Sequence, residues 1–225
     1  MACIQRILEQ TRKGYGTEQS VPYPFYLIAH IMLQNEKRGA LWLSKERVTV
    51  AVKIVIDAGH GGWDNGSQYN GRREKDDTLN LALAVGEILS ENGIDVDYTR
   101  TTDIYETPFK KATDANNAGA DYFISIHRNS GEVPGQYAGV QSLVYSDSGV
   151  VHRMAENINR ELEAVGFDNI GIEERPNLVV LRRTNMPAVL VEVGFINADH
   201  DNEIFDTRFQ EVATAIADGI MQTIG

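Results

Sequence analysis

The run Lys53-Ile-Val-Ile-Asp-Ala-Gly-His-Gly-Gly62 decides how this chain is read. Apolar residues stopped at once by a glycine-rich turn mark a short buried strand. His60 sits inside that turn. A second run of the same kind, Tyr122-Phe-Ile-Ser-Ile-His127, also ends on a histidine. A third, Ala188-Val-Leu-Val-Glu-Val193, carries Glu192. Between the first two the spacing changes. Leu79, Leu83, Ile88 and Leu89, with Val85, make one apolar stripe and predict a helix over 78–92, with Asp77 as its cap and Gly93 as its stop.

The rest of the chain keeps this rhythm. Strands are expected at 94–99 and 140–145, with a final pair at 178–181 and 188–193. Helices are expected over 107–118, from about 150 to 165 before Gly166, and over 208–224. Strands alternating with helices of this length predict an α/β fold: one domain with a mostly parallel sheet.

Composition sets the outer limits. A chain of 225 residues with 42% apolar and 24% charged residues can bury the core of one large domain. A net charge of −11 argues against a nucleic-acid partner. The lone cysteine, Cys3, allows neither an internal disulfide framework nor a cysteine-based metal site. Residues 24–33 form the longest apolar stretch near the start, but His30 interrupts them. They fall short of the roughly 20 residues a bilayer span needs, and no cleavage signal accompanies them. We therefore expect synthesis in the cytoplasm, without a signal peptide or transmembrane segment.

The chain divides near residue 50. Residues 1–50 carry a net charge of +3 and residues 51–225 a net of −14. The first segment reads as an appendage of uncertain structure. It is either a genuine extension or sequence upstream of a natural start: Lys45-Glu46 can be encoded as a ribosome-binding sequence, and Val50 as a GTG start codon. Nothing in the sequence sets an oligomeric state.

His60 and His127 both fall at the carboxyl ends of strands, where open α/β sheets build their sites. Two imidazoles and a carboxylate such as Glu74 suit a catalytic zinc with one open position. A further glutamate beside that position can serve as base. Each residue also has an ordinary explanation. A histidine ending a strand is commonly structural, the glycines can simply make a turn, and Glu74 lies in a charge run, Arg72-Arg-Glu-Lys-Asp-Asp77. The spacing matches neither a dinucleotide fingerprint nor a phosphate loop, and H-E-x-x-H is absent. Glu192 is the hardest to dismiss, because a carboxylate inside an apolar strand needs a partner or a metal.

Four motifs in order carry a family resemblance: Ile54-Val-Ile-Asp-Ala-Gly-His-Gly-Gly62, Glu74, Ser125-Ile-His-Arg-Asn-Ser130 and Pro187-Ala-Val-Leu-Val-Glu-Val-Gly-Phe-Ile-Asn197. From about residue 52 onward the chain resembles the type-3 zinc-dependent N-acetylmuramoyl-L-alanine amidases, a family of cell-wall autolysins and phage endolysins. The resemblance implies a twisted sheet of about six strands with helices on both faces. It implies that residues 51–225 form the catalytic domain, that His60, Glu74 and His127 bind Zn2+, and that Glu192 is the general base and acid. The implied substrate is peptidoglycan, cut between the lactyl group of N-acetylmuramic acid and L-alanine of the stem peptide. The implied setting is the bacterial cell wall, reached by a phage lysin or by an autolysin freed on lysis. Arg128 and Asn129, following the second histidine, are expected near the cleft, against sugar or peptide. Asp57 either orients a ligand imidazole or serves as a turn residue. Two rival readings stand beside the amidase. One is a zinc peptidase acting within the stem peptide; the other is a noncatalytic peptidoglycan binder, which should have lost at least one of the four site residues.

Overall fold

The computed structural model describes residues 51–225. The reading of residues 1–50 as an appendage, and Cys3 with it, lies outside the described residues.

Six strands make one sheet. β1 (Lys53–Ala58), β4 (Asp95–Tyr98), β5 (Tyr122–Asn129) and β8 (Ala188–Phe195) run parallel in the order β4-β1-β5-β8. β6 (Val140–Val144) then pairs antiparallel with β8, and β7 (Asn169–Glu174) pairs parallel with β6 at the far edge. The sheet is therefore mostly parallel, as the alternating pattern predicts. A two-stranded ribbon, β2 (Gln68–Tyr69) and β3 (Arg72–Arg73), stands apart from it.

The central strands are apolar on both sides because both sides are covered. Ile54 and Ile56 face a large core with Leu81, Val85 and Leu89 of α1 (Glu74–Glu91), Ile158 and Leu162 of α3 (Gly149–Val165), and Ile216 and Ile220 of α6 (Phe209–Ile224). Val55 points the other way, as the two-residue period of a strand requires. It joins Phe123, Leu190, Ala115 of α2 (Pro108–Ala118) and Val180 of α4 (Val179–Arg183) in a smaller core. The last helix in this set, α5 (Asp199–Thr207), follows β8 directly.

Most boundaries lie within a residue or two of expectation. α2 starts where Thr107 accepts a hydrogen bond from Lys110 N and Pro108 occupies the first turn. Five elements differ. α1 begins at Glu74, four residues earlier than expected, so Asp77 lies inside its first turn and does not cap it. The acidic residues Glu74, Asp76 and Asp77 suit the positive end of a helix, and the apolar stripe alone misses them. The strand expected at 178–181 is instead α4; a four-residue apolar run has no period long enough to separate the two. β7, α5 and the β2–β3 ribbon carry no long apolar pattern and were not anticipated. Among the described residues, no helix is long and apolar enough to cross a membrane.

Candidate metal centre

His60, Glu74 and His127 come from three separate elements and meet above the carboxyl ends of β1 and β5. One donor atom from each lies within 4.8 Å of the others. Glu74 is the hub. Its Oε1 stands 3.1 Å from His60 Nε2 and 2.9 Å from His127 Nδ1, and it accepts a hydrogen bond from Arg128 N at 3.1 Å. Its Oε2 accepts one from Ser67 N at 2.8 Å. The imidazole rings are edge to face with centroids 5.0 Å apart. Glu74 is buried, but the His60 and His127 side chains keep 24% and 20% of their surface open, so the cluster is reached from one side.

Local backbone geometry explains how the first turn presents its ring. His60 itself takes a left-handed conformation, φ +59°, with Gly61 and Gly62 also at positive φ. A non-glycine residue held there stores roughly 1–3 kcal/mol of strain, and such strain clusters at functional sites. Two glycines are required for space. A Cβ on Gly59 would sit 2.5 Å from the His127 ring, and one on Gly66 would sit 2.6 Å from Glu74 Oε2. Asp64 sets the outward side of His60: Nδ1 and Asp64 Oδ2 are 2.9 Å apart, leaving Nε2 to face the cluster. A carboxylate fixing the second ring nitrogen is the usual support of a ligand imidazole. The sequence offered a sign of this residue, a carboxylate four positions after the histidine in the same loop, and the sequence reading missed it.

Charge follows the geometry. Burial works against ionising Glu74, but His127 and His60 hold its carboxyl well below the usual carboxylate range. Burial likewise opposes a charge on His60, yet Glu74 and Asp64 push its pKa up to about 9. Glu192 behaves in the opposite way. It stands in register with His127 on the neighbouring strand. Burial pushes its carboxyl up to about 7. Its Oε2 is shut off from solvent and has no hydrogen-bond partner. An unpartnered buried carboxylate oxygen beside two imidazoles and a glutamate is costly unless a cation or a substrate proton completes it. Two nitrogens and one carboxylate also make a donor set that zinc accepts, with a position left for substrate. The residues present therefore fit a metal ion.

Other expectations change. Arg128 does not reach the cleft: its side chain is fully buried on the opposite face of β5, paired with Asp77. Strand alternation explains the swap, since the residue after His127 must point away from it. Asn129 turns its Oδ1 back to Ser130 N, at 2.8 Å. Asp57 contacts no imidazole by hydrogen bond. It is matched to Lys111 Nζ at 2.7 Å and accepts from Thr99 and Ser125 at 2.7 and 2.6 Å. It is a buried strut beneath the site.

The likenesses to known proteins agree with this chemistry. Residues 54–222 match the Amidase_3 family model, described as N-acetylmuramoyl-L-alanine amidase. The sporulation-specific N-acetylmuramoyl-L-alanine amidase of Bacillus subtilis (strain 168) is 40% identical over 177 residues, covering 76% of this chain and 68% of that protein. The endolysin of Bacillus phage SPP1 is 34% identical over 180 residues, covering 76% of this chain and 65% of its own length. The chain thus spans about two thirds of these curated relatives. The crystal structure of the N-acetylmuramoyl-L-alanine amidase from Clostridium difficile 630 superposes with a TM-score of 0.72 at 31% identity, covering 77% of this chain and 97% of that one. The chain belongs to the N-acetylmuramoyl-L-alanine amidase family of the Amidase_3 type.

Proposed function

We propose that residues 51–225 form a zinc-dependent catalytic domain in which His60, Glu74 and His127 hold the metal and Glu192 moves the proton. The reaction is hydrolysis of peptidoglycan at the amide between N-acetylmuramic acid and L-alanine. When bound, zinc supplies a Lewis acid that polarises the scissile carbonyl and makes water more acidic. Asp64 keeps His60 Nε2 turned inward as a donor. Glu74 brings the negative charge that a dication requires, and its seat in the first turn of α1 fixes its direction. Glu192 accepts a proton from the attacking water and returns it to the departing alanine nitrogen, a role suited to a carboxyl whose pKa lies near neutrality.

The observation that supports this assignment best is the unpartnered Glu192 Oε2 next to three converging donors. Asp201 Oδ1 and Glu106 Oε2 also lack a partner, so the argument rests on the open oxygen together with the register of Glu192 beside His127. Digestion of purified cell wall tests the reading. New amino termini should appear at alanine, with the lactyl group left intact; termini only at other stem residues would sink it in favour of a peptidase. Exhaustive chelation should abolish the activity, and added zinc should restore it. Activity that survived chelation would rule the metal out. The place of action is the bacterial cell wall, and a relative from a phage and one from a sporulating bacterium are both compatible with release on lysis.

A further inference from the structure

Arg128 is the largest fully buried side chain of the domain. A guanidinium cannot lose its charge and must be matched where it lies. The matches are distributed unusually. Nη1 donates to Asp77 Oδ2 at 2.7 Å, one turn along α1 from Glu74. Nη2 donates to Asn202 Oδ1 at 2.8 Å on α5. Nε lies 3.5 Å from the carbonyl oxygen of Gly194, two residues past Glu192 on β8. The Arg128 backbone N donates directly to Glu74 Oε1 at 3.1 Å, and His127 is the preceding residue. The ring of Phe205 covers the guanidinium at 4.2 Å. Arg72 reinforces the same anchor by donating from Nε to Asp77 Oδ2 at 2.6 Å.

One rigid fork therefore joins the three segments that carry Glu74, His127 and Glu192. Each of these elements has its own packing against the core. Core packing of Leu81 and Val85 against Ile124 and Ile126, and the Thr78 bond to Gly59 O, also locate the first turn of α1. The Arg128 fork is the side-chain link that reaches α1, α5 and β8 together. We infer that Arg128 is a positioning residue for the reaction: through Asp77, Asn202 and Gly194 it sets the relative placement of Glu74, His127 and Glu192, and so the metal affinity and the turnover rate. The inference rests on the zinc reading above. The Arg128 side chain is buried on the face of β5 away from His127 and acts through its partners.

Lysine at 128 keeps the charge but has no planar fork, so it cannot serve Asp77 and Asn202 together. In Arg128→Lys, the zinc dissociation constant, measured by competition with a chromophoric chelator, should rise by about 10-fold or more, the range typical of residues that orient ligands. On a soluble N-acetylmuramoyl peptide, kcat per zinc-loaded protein should fall by a similar factor while KM stays within about 2-fold, since the cleft surface is intact. A residue that served stability alone would lower the melting temperature and leave zinc affinity and kcat of the folded protein unchanged; that outcome overturns the inference. If Arg128→Lys does not fold, Asn202→Ala removes one arm of the fork, together with the Asn202 Nδ2 bond to Ile196 O. It should weaken zinc binding and lower kcat in the same direction by a smaller factor, and a folded Asn202→Ala protein with wild-type zinc affinity and kcat also overturns it. Wild-type protein that binds no zinc would defeat the metal reading itself, and the positioning role with it. Wild-type zinc binding with unaltered variants defeats the positioning role alone.

Discussion

Two carboxylates in the central sheet are placed almost alike and treated oppositely. Asp57 on β1 and Glu192 on β8 flank β5, with Ser125 and His127 as their partners in register. Asp57 receives Lys111, Thr99 and Ser125, and although burial opposes it, Lys111 holds its pKa below the ordinary value. Glu192 has one oxygen without a partner, and burial lifts its pKa to about 7. Asp57, matched by three partners, serves as scaffold. Glu192, with an open oxygen and a raised pKa beside two imidazoles, suits a proton carrier.

The difference is sharpest at Glu192. Glu192→Gln keeps the shape of the side chain and removes its ability to take a proton. Turnover should fall by about 10²–10⁴-fold, the usual share of a general acid–base group, while metal analysis finds zinc retained. Zinc lost along with turnover would make Glu192 a ligand and erase its distinction from Glu74.

Lys111→Met attacks the other member. It leaves Asp57 charged, buried and short of its main partner, which should cost about 3–5 kcal/mol and lower Tm by about 6–20 °C for a domain of this size. Thermal melts read the effect. A change under about 1 °C would mean that the Asp57–Lys111 pair is no strut.

The smallest effect is in pH, and there the two carboxylates should separate by sign. The folded-state pKa of Asp57 lies below its ordinary 3.8, so its contribution to stability is complete above that value and is lost as pH falls through the folded value. Glu192 rises from an ordinary 4.5 to about 7, so the fold prefers its protonated form, and metal-free protein should lose stability as pH climbs between those values. Melts of metal-free wild type and Glu192→Gln across this range provide the check. An identical slope in both would show that Glu192 does not titrate there.

The fold was largely legible because both of its periods are strong. Strands such as 53–58 and 188–195 are short, largely apolar runs rich in Val and Ile and bounded by turn residues, as strands covered on both faces are, and α6 carries a long helical stripe. Short or weakly patterned elements were not legible: α4 is one turn, and β7 shows no apolar run. At the site, the fold brings His60, Glu74 and His127 together, with Glu192 in register beside His127. These four could be put forward as candidates from sequence because order and motif mark them. Their supports could not. Asp64, Lys111 and Arg128 act through partners 4, 54 and 51 positions away in sequence, and only folding brings the more distant ones together. Arg128 was misplaced because adjacency to His127 suggested proximity to the cleft, whereas adjacent strand residues face opposite ways.

The absence of a side chain at Gly59 has its own consequence. The backbone there lies against the His127 ring so closely that any Cβ would overlap it. The imidazole is thus braced by the covalent path of the chain as well as by a charged neighbour. A charged neighbour weakens when it is protonated or screened by salt; a wall of peptide does neither. The orientation of His127 should therefore persist across solution conditions that change every charge around it, so that the ring keeps its direction toward Glu74 at low pH and at high salt alike.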